Sequence, residues 1–285
     1  MVDPVTILVT GGMIGSVYVL IAIGFSLIYG VRGVINLSHG AFIMLGAFTY
    51  LVVSQYVPGL AAFAVAILAV GAFSLLLYLG LVRYIESNVV ITFLATVVVA
   101  LIVQELLVLR FSLAPRSLQP IISGGIPVAG TRIRYYQLIA FALSWVALGL
   151  LYLFVRRTRL GRNILATSMT EKGAKLTGTN VFYVNAATWF VGGAFAGFAG
   201  VFIGTLQSTS PLMWVEALGL AFIIVTIGGV GSIKGSIIAA YLIGYLETLT
   251  VNLIGAEWRG MFALLLLVAI IIVKPEGLFG REFIE

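Results

Sequence analysis

The chain has 285 residues, of which 61% are hydrophobic and 9% are charged, and 16 Lys and Arg against 10 Asp and Glu give it a net charge of +6. Soluble domains are roughly 45–50% apolar and about 25% charged, so this composition excludes an ordinary soluble enzyme and favours a membrane protein. The sequence contains no cysteine and one histidine. This excludes a disulfide framework and a thiolate metal site, and we expect neither a bound metal ion nor another cofactor.

Nine apolar stretches follow one another along the chain. A bilayer core of about 30 Å needs roughly 20 apolar residues in a helix, and the stretches lie at about 5–31, 41–56, 60–82, 89–111, 135–155, 182–206, 217–233, 236–254 and 260–273. The second, seventh and ninth are short, which leaves open whether one or more of them re-enters rather than crosses. The sequence therefore predicts an all-α integral membrane protein, a polytopic bundle of eight to nine spans with broken or re-entrant helices, forming a single domain over 1–285.

The basic residues predict the orientation of these spans, because cytoplasmic loops carry an excess of Lys and Arg. If the densest basic segment, 156–175, is cytoplasmic, eleven basic residues lie inside. The remaining five lie near the outer side, namely Arg110, Arg116, Arg132, Arg134 and Arg259. Nine passes then put the N-terminus outside and the C-terminus in the cytoplasm. This topology accounts for the net charge of +6, so we expect no nucleic-acid binding.

Two polar connections are long enough to be structured. The external loop, about 112–134, contains Pro115, Pro120, Pro127 and the pair Gly124 and Gly125, which favours an ordered loop or a short hairpin. The cytoplasmic segment, about 156–181, is rich in helix-forming residues from 163 to 176 and has a glycine at 178, which predicts one short helix with a glycine stop. Its spacing alone fits either a docking element for another protein or an ordinary basic loop.

Glycines at four-residue steps mark the sixth apolar stretch. Gly193, Gly197, Gly200 and Gly204 fall near one face of a helix. Small residues at this spacing let two helix backbones approach closely, so we predict a compact bundle around this helix.

Two breaks, 32–40 and 228–235, interrupt the apolar pattern without room for a hydrophilic loop. Backbone that breaks inside a membrane is tolerated only where it lines protein or water, and discontinuous helices are a sequence pointer to a transport pathway. The candidate pathway residues are Asn36, Ser38, His39 and Gly40 in the first break and Gly229, Gly231 and Ser232 in the second. We expect Asn36 or Ser38, and Ser232, to cap the helices that follow. Two tight cytoplasmic turns are the alternative interpretation, and composition does not decide between the two.

Three ionisable residues fall at or within apolar stretches: His39, Glu105 and Glu247. Intramembrane carboxylates are functional candidates by default, although each can also pair within the bundle or with a partner. We see no catalytic constellation in the sequence. The order Lys234-Gly235-Ser236 is not that of a phosphate-binding loop, which needs Gly-Lys-Ser/Thr, so energy for uphill transport has to come from a gradient or from a partner.

The sequence resembles the LivH-type permease subunits of ABC importers for branched-chain amino acids. The resemblance extends over nearly the whole chain and rests on four motifs in order. They are 33–42 in the first break, the cytoplasmic residues Gly161, Arg162, Ala166, Ala174, Leu176, Gly178 and Asn180, the second break 228–235, and 274–281 near the C-terminus. Permeases for urea and short-chain amides are similar in the same places, so the motifs define the family more securely than the substrate.

The resemblance implies a permease of a bacterial or archaeal inner membrane that is not itself an enzyme. It implies three kinds of partner: a second, homologous permease chain forming a heterodimer, two cytoplasmic ATPases and an extracytoplasmic solute-binding protein. On this basis Arg162, Glu171, Ala174, Leu176 and Gly178 are expected to dock an ATPase, and both breaks are expected to be pathway elements. A self-sufficient gradient-driven carrier and a membrane scaffold remain the competing functional classes.

Overall fold

The structure is a computed structural model that describes residues 4–33, 35–128 and 131–280. Val34 of the first motif and Arg281 of the last fall outside the described residues. Eleven α-helices are described: α1 Pro4–Arg32, α2 Ser38–Val53, α3 Gly59–Leu77, α4 Val89–Phe111, α5 Tyr135–Arg157, α6 Arg159–Met169, α7 Glu171–Leu176, α8 Val181–Leu206, α9 Met213–Gly228, α10 Ile233–Leu253 and α11 Met261–Val273. A π-helical segment, Tyr78–Val82, and one turn, Arg83–Ile85, prolong α3, and a 3-10 turn, Ala256–Trp258, precedes α11.

The prediction of an all-α, polytopic membrane protein is confirmed. Seven of the described helices are long and apolar enough to cross a membrane, and two further apolar helices, α2 and α9, are shorter. These two have 16 residues each, which corresponds to about 24 Å of helix at the standard rise of about 1.5 Å per residue. They are the second and seventh stretches that the sequence marked as short.

Helices α1 and α8 form the centre of the bundle. In each, 72% of the most apolar stretch is buried, against 22% in α4 and α5 and 11% in the stretch that contains α11. A helix that is apolar on all sides is stable only where it is surrounded by protein or lipid. The exposed outer helices therefore present their leucines and valines to the membrane, and α1 and α8 are the most deeply buried of the long helices.

The glycines of α8 let its neighbours approach at backbone distance, as predicted. A methyl group at Gly193 would overlap with Ser74 of α3, and one at Gly200 would overlap with the carbonyl of Ile43 in α2. Helices α1 and α10 also approach each other closely at glycines, because the backbones at Gly15 and Gly244 have no space for a side chain between them. Lipid supplies no hydrophobic driving force between helices, so close packing at these small residues holds the helices together.

The loops gather at two ends of the bundle. The hairpin end contains a β-hairpin, in which β1 Gly125–Val128 pairs antiparallel with β2 Thr131–Arg134, together with residues 207–212 and 254–260. Backbone hydrogen bonds of 2.9 and 2.8 Å between Arg116 and Thr209 connect the loop before the hairpin to the loop after α8. The hairpin thus belongs to the loop for which the sequence favoured an ordered loop or a short hairpin.

The opposite end contains α6 and α7, the turn 229–232 and the C-terminal segment 274–280. The predicted single helix over 163–176 is wrong in its bounds, because two helices meet at Thr170 in an extended conformation. The hydroxyl oxygen of Thr158 accepts from the backbone N–H of Gly161 at 2.9 Å and starts α6 earlier than expected. The glycine stop lies where it was predicted, because Gly178 has a φ of +80° just after α7.

Candidate functional site

The first break enters the interior of the bundle. Asn36, Ser38 and His39 are 2%, 0% and 0% exposed. The hydroxyl of Ser38 donates to the carbonyl oxygen of Thr96 in α4 at 2.7 Å, and the backbone N–H of Leu37 donates to the hydroxyl oxygen of Thr96 at 3.2 Å. Of the two alternative capping candidates, Asn36 or Ser38, the hydroxyl of Ser38 is used to hold α4 and does not cap α2. Asn36 accepts from the backbone N–H of Ser38 at 3.0 Å, while Leu37 occupies the capping position.

His39 lies against the middle of α1. Its Nε2 is 3.0 Å from the carbonyl oxygen of Ile21, and its ring meets Phe25 edge to face at 5.5 Å between centroids. Its Nδ1 has no hydrogen-bond partner within the described part of the chain. Because Ile21 lies well before the end of α1 at Arg32, α2 begins in the interior of the bundle and not at its surface.

Helix α9 begins beside the same point. A methyl group at Gly40 would overlap with the carbonyl oxygen of Trp214 and would lie 2.9 Å from Cβ of Leu218. Trp214 belongs to the first turn of α9, and its indole N–H donates to Gln104 of α4 at 2.5 Å. The first turns of the two short helices thus meet inside the bundle, which the sequence did not indicate.

The second break lies elsewhere, in the turn between α9 and α10 at the opposite end. Gly231 is exposed and approaches Gly30, near the end of α1. Ser232 caps α10 as predicted, with its hydroxyl oxygen accepting from the backbone N–H of Gly235 at 3.1 Å. The structure therefore does not bring Gly229, Gly231 and Ser232 together with His39 and the start of α2, and their pathway role stays a prediction.

This turn and the C-terminal motif form one packed unit. The backbone N–H groups of Leu278 and Phe279 donate to the carbonyl oxygens of Ile227 and Gly228 at 2.8 and 3.1 Å. Gly277 has a φ of +82°, and a methyl group there would lie 2.5 Å from the backbone nitrogen of Gly229. The glycines at these positions therefore have a packing explanation, since two backbones cross with no space for side chains.

The α6–α7 helix pair is anchored to the bundle by a small apolar cluster. Ile164 of α6 packs with Val31 of α1 and Val184 of α8, and all three are buried. Ala174 of α7 is also buried, at 2% exposure. Its side chain is therefore not part of the exposed surface of α7, and its role in docking stays a prediction.

The outer face of the helix pair combines basic and apolar side chains. Of the remaining predicted docking residues, Arg162 and Gly178 are exposed, Leu176 is 89% exposed, and Glu171 pairs with Lys175 at 2.7 Å. Leu165 and Met169 are exposed beside them. Sequence reasoning missed these two, although their four-residue spacing on an amphipathic helix was a signal for one shared face.

The two intramembrane carboxylates have different environments. Glu105 lies on the exposed face of α4, where one of its carboxylate oxygens accepts from the side-chain amide of Gln104 at 3.0 Å. Glu247 of α10 is buried, accepts a hydrogen bond from the hydroxyl of Tyr18 in α1 and pairs with Nε of Arg259 at 3.1 Å. Sequence reasoning gave neither partner of Glu247, since Arg259 lies beyond the end of α10 and Tyr18 is 229 residues away.

Glu247 and Arg259 line a cavity of about 340 Å³ at the hairpin end. Its walls come from α1, α5, α8, α10 and β2, and it also takes in Tyr18 and Arg134. A neighbouring cavity of about 390 Å³ beside the loop that precedes the hairpin shares Arg134, Tyr136, Leu206 and Gln207 with it. The sequence did not indicate this site, because its residues are distributed over the whole chain.

Comparison with known proteins gives one consistent family. The family model described as branched-chain amino acid transport system / permease component matches residues 7–271. The high-affinity branched-chain amino acid transport system permease protein BraD of Pseudomonas aeruginosa is 28% identical, and the match covers 98% of this chain and 96% of that protein. The permease protein LivH of the corresponding system in Escherichia coli is 27% identical, with 96% and 95% covered. No solved structure gives a significant match.

Proposed function

This chain belongs to the permease components of branched-chain amino acid transport systems, and we propose that it is the membrane subunit of an ATP-driven importer of branched-chain amino acids. The observation that carries the proposal is the family match over residues 7–271, which spans the bundle except for the outermost residues of α1 and α11. It is a multi-pass inner-membrane protein whose relatives are transport components rather than enzymes. ATP hydrolysis then belongs to partner subunits.

The α6–α7 pair is the proposed docking site for one of two cytoplasmic ATPases. Arg162, Lys172 and Lys175 are exposed on the same helix pair as the apolar Leu176 and Met169, a combination suited to an acidic partner surface with an apolar pocket. The buried cluster of Ile164, described above, joins the pair to α1 and α8. Movement of the ATPase on ATP binding would therefore be transmitted to the two central helices as a rigid displacement.

The second permease chain of the proposed heterodimer would cover the outer face of α4. The carboxylate of Glu105 lies on this face among exposed leucines, which include Leu101, Leu106 and Leu109. A charged group facing hydrocarbon is costly, and such groups normally pair within a protein assembly. A polar or basic side chain of the partner permease would supply that pair.

The proposed orientation has the hairpin end outside and the α6–α7 end in the cytoplasm. The basic residues Arg156, Arg157 and Arg159 cluster at the latter end, in agreement with the excess of positive charge in cytoplasmic loops. An extracytoplasmic solute-binding protein would then deliver its ligand at the hairpin end.

The pathway proposal centres on the first turns of α2 and α9. Both helices are too short to cross by themselves, and the contact of Gly40 with Trp214 joins their starts inside the bundle. The chain reaches each of them through a non-helical segment, 35–37 or 207–212, so that Asn36, Ser38 and His39 lie beside the route. Alternating access would rock these short helices between outward and inward openings. Gly229, Gly231 and Ser232 would be the hinge of this motion at the cytoplasmic end.

Reconstitution of the complete assembly in proteoliposomes tests the function. ATP enclosed with the ATPases should drive leucine uptake when the loaded binding protein is outside, and the permease chain alone should give none. Uptake by this chain alone under an ion gradient would contradict the proposal.

Docking is tested with Leu176→Asp, because its side chain is 89% exposed and its replacement should leave the fold intact. We expect the variant to lose capture of the ATPase and ATP-driven uptake while its thermal unfolding midpoint stays unchanged. The matched control is Ile122→Asp, which alters an exposed apolar residue (49%) of the loop before the hairpin. Equal ATPase capture by the two variants would refute docking at α7.

A further inference from the structure

The cavity at the hairpin end has the volume of a small-molecule site, and its lining combines polar and charged side chains with a few apolar ones. Its volume is about 340 Å³, and ligand sites in proteins typically measure about 300–1,000 Å³ with apolar walls and a few placed polar groups. Ile14, Ile203 and Val251 contribute apolar surface from three different helices. Glu247, Arg259 and Arg134 contribute charge of both signs.

The charged groups retain unused hydrogen-bonding capacity. Arg259 uses its Nε for Glu247, so its terminal amino groups carry the remaining donors, and a guanidinium group can hold a carboxylate through two parallel bonds. Arg134 donates to the hydroxyl of Tyr136 at 3.0 Å through one terminal nitrogen. The carboxylate of Glu247 accepts from Tyr18 and Arg259 and still has lone pairs available.

The ion pair joins a buried carboxylate to an exposed guanidinium group, and a buried ion pair is weak evidence for a purely stabilising role. Replacing such a pair with apolar residues is often neutral or stabilising, and an ionisable residue inside a membrane protein is a functional candidate with its partner. Glu247 is 7% exposed, whereas the side chain of Arg259 is 36% exposed. The pair therefore extends from the interior towards the outer surface, as a site that receives a ligand from that side requires.

One residue that lines the cavity lies close along α1 to the residue that His39 contacts. Tyr18 lines the cavity, and Ile21, one turn further along α1, accepts the contact from His39. A rise of about 1.5 Å per residue puts the two positions about 4.5 Å apart along the helix. The cavity and the start of α2 are thus consecutive along the same helix.

We propose that this cavity is a binding site for the zwitterion of an apolar amino acid. Arg259, assisted by Arg134, holds the carboxylate, Glu247 holds the ammonium group, and Ile14, Ile203 and Val251 surround the aliphatic side chain. The proposal rests on the proposed function and adds a recognition step within the permease itself. Selection of the zwitterion is then repeated after the solute-binding protein has released it.

Equilibrium binding to the detergent-solubilised assembly of permeases and ATPases, without the binding protein, tests the proposal. The probe is radiolabelled leucine, and the competitors are 4-methylpentanoate, which lacks the ammonium group, and 3-methylbutylamine, which lacks the carboxylate. Each competitor should be at least about tenfold weaker than leucine, since each leaves one charged group of the site without its counterpart. The proposal would be overturned if 4-methylpentanoate and 3-methylbutylamine displaced the radiolabelled leucine as well as unlabelled leucine does.

The variants separate the two ends of the ligand. Glu247→Gln should weaken leucine binding by about tenfold and should not weaken 4-methylpentanoate, because the contact with the ammonium group is lost while Arg259, released from its ion pair, still holds a carboxylate. Arg259→Lys should weaken leucine and leave 3-methylbutylamine unchanged, because lysine cannot bind a carboxylate through two parallel bonds. The control is Glu257→Gln in the same loop, which is exposed and does not line the cavity. It should match the unmodified assembly.

Val251→Trp tests the cavity without altering any of its charged groups. Tryptophan would fill the cavity from α10, and leucine binding should disappear while the assembly still elutes as one species with its ATPases. If Glu247→Gln fails to fold, Arg259→Lys and Val251→Trp decide the matter. Leucine uptake that persists with an unchanged KM in both of these variants refutes the cavity and leaves the proposed function standing. Failure of the unmodified assembly to import leucine refutes the proposed function itself.

Discussion

The contact between the two short helices α2 and α9 can be tested with one methyl group. In Gly40→Ala, the new Cβ would overlap with the carbonyl oxygen of Trp214 and lie 2.9 Å from Cβ of Leu218. The nearest atom is backbone, which cannot rotate away as a flexible side chain can. The first turns of α2 and α9 must therefore separate to accommodate the alanine.

The matched control is Gly219→Ala in α9, where a new Cβ meets no atom of the described residues within 4 Å. Both positions are helical, so the higher helix propensity of alanine, about 1 kcal/mol, is largely common to the two variants. Overpacking of a well-packed interior costs about 1–3 kcal/mol. The free energy of unfolding should therefore differ between the variants by about 1–3 kcal/mol, with Gly40→Ala the less stable.

The assay is the thermal unfolding midpoint of the purified chain in detergent, followed by loss of the monodisperse peak in gel filtration. For a chain of about 150–250 residues, about 1 kcal/mol corresponds to about 2–4 °C, so we expect Gly40→Ala to melt about 2–12 °C below Gly219→Ala. Equal midpoints would refute the close approach of the two helix starts. A higher midpoint for Gly40→Ala would show in addition that its backbone is free to accept a side chain.

Three further variants test other contacts. Ser232→Ala removes the cap of α10 and should lower the free energy of unfolding by about 1 kcal/mol; an unchanged melting midpoint would contradict the cap. Gly277→Val forces a branched side chain into a φ of +82° against Gly229 and should expose the C-terminal segment to protease, whereas Gly149→Val, with no neighbour within 4 Å, should not. Glu105→Leu should reduce recovery of the second permease in co-purification, and undiminished recovery would exclude α4 from that interface.

Much of the bundle could be predicted from the sequence, because lipid acts on each segment separately. A helix in hydrocarbon must satisfy its own backbone and be long and apolar enough to cross, so the apolar helices are recognisable one at a time. The glycine stop at Gly178, the cap at Ser232 and the close packing at Gly193 and Gly200 are likewise local patterns. The four motifs gave the family without any knowledge of contacts.

What the tertiary structure alone decided is the arrangement between segments. The two breaks have similar composition, yet one is buried against α1 and α4 and the other is an end turn packed on the C-terminal segment. Ala174 faces inwards although its neighbour Leu176 faces outwards. The pairing of Glu247 with Tyr18 and Arg259 joins distant parts of the chain. Rotation and depth of one helix against another depend on side chains of both, so no single segment contains the information that builds the cavity at the hairpin end.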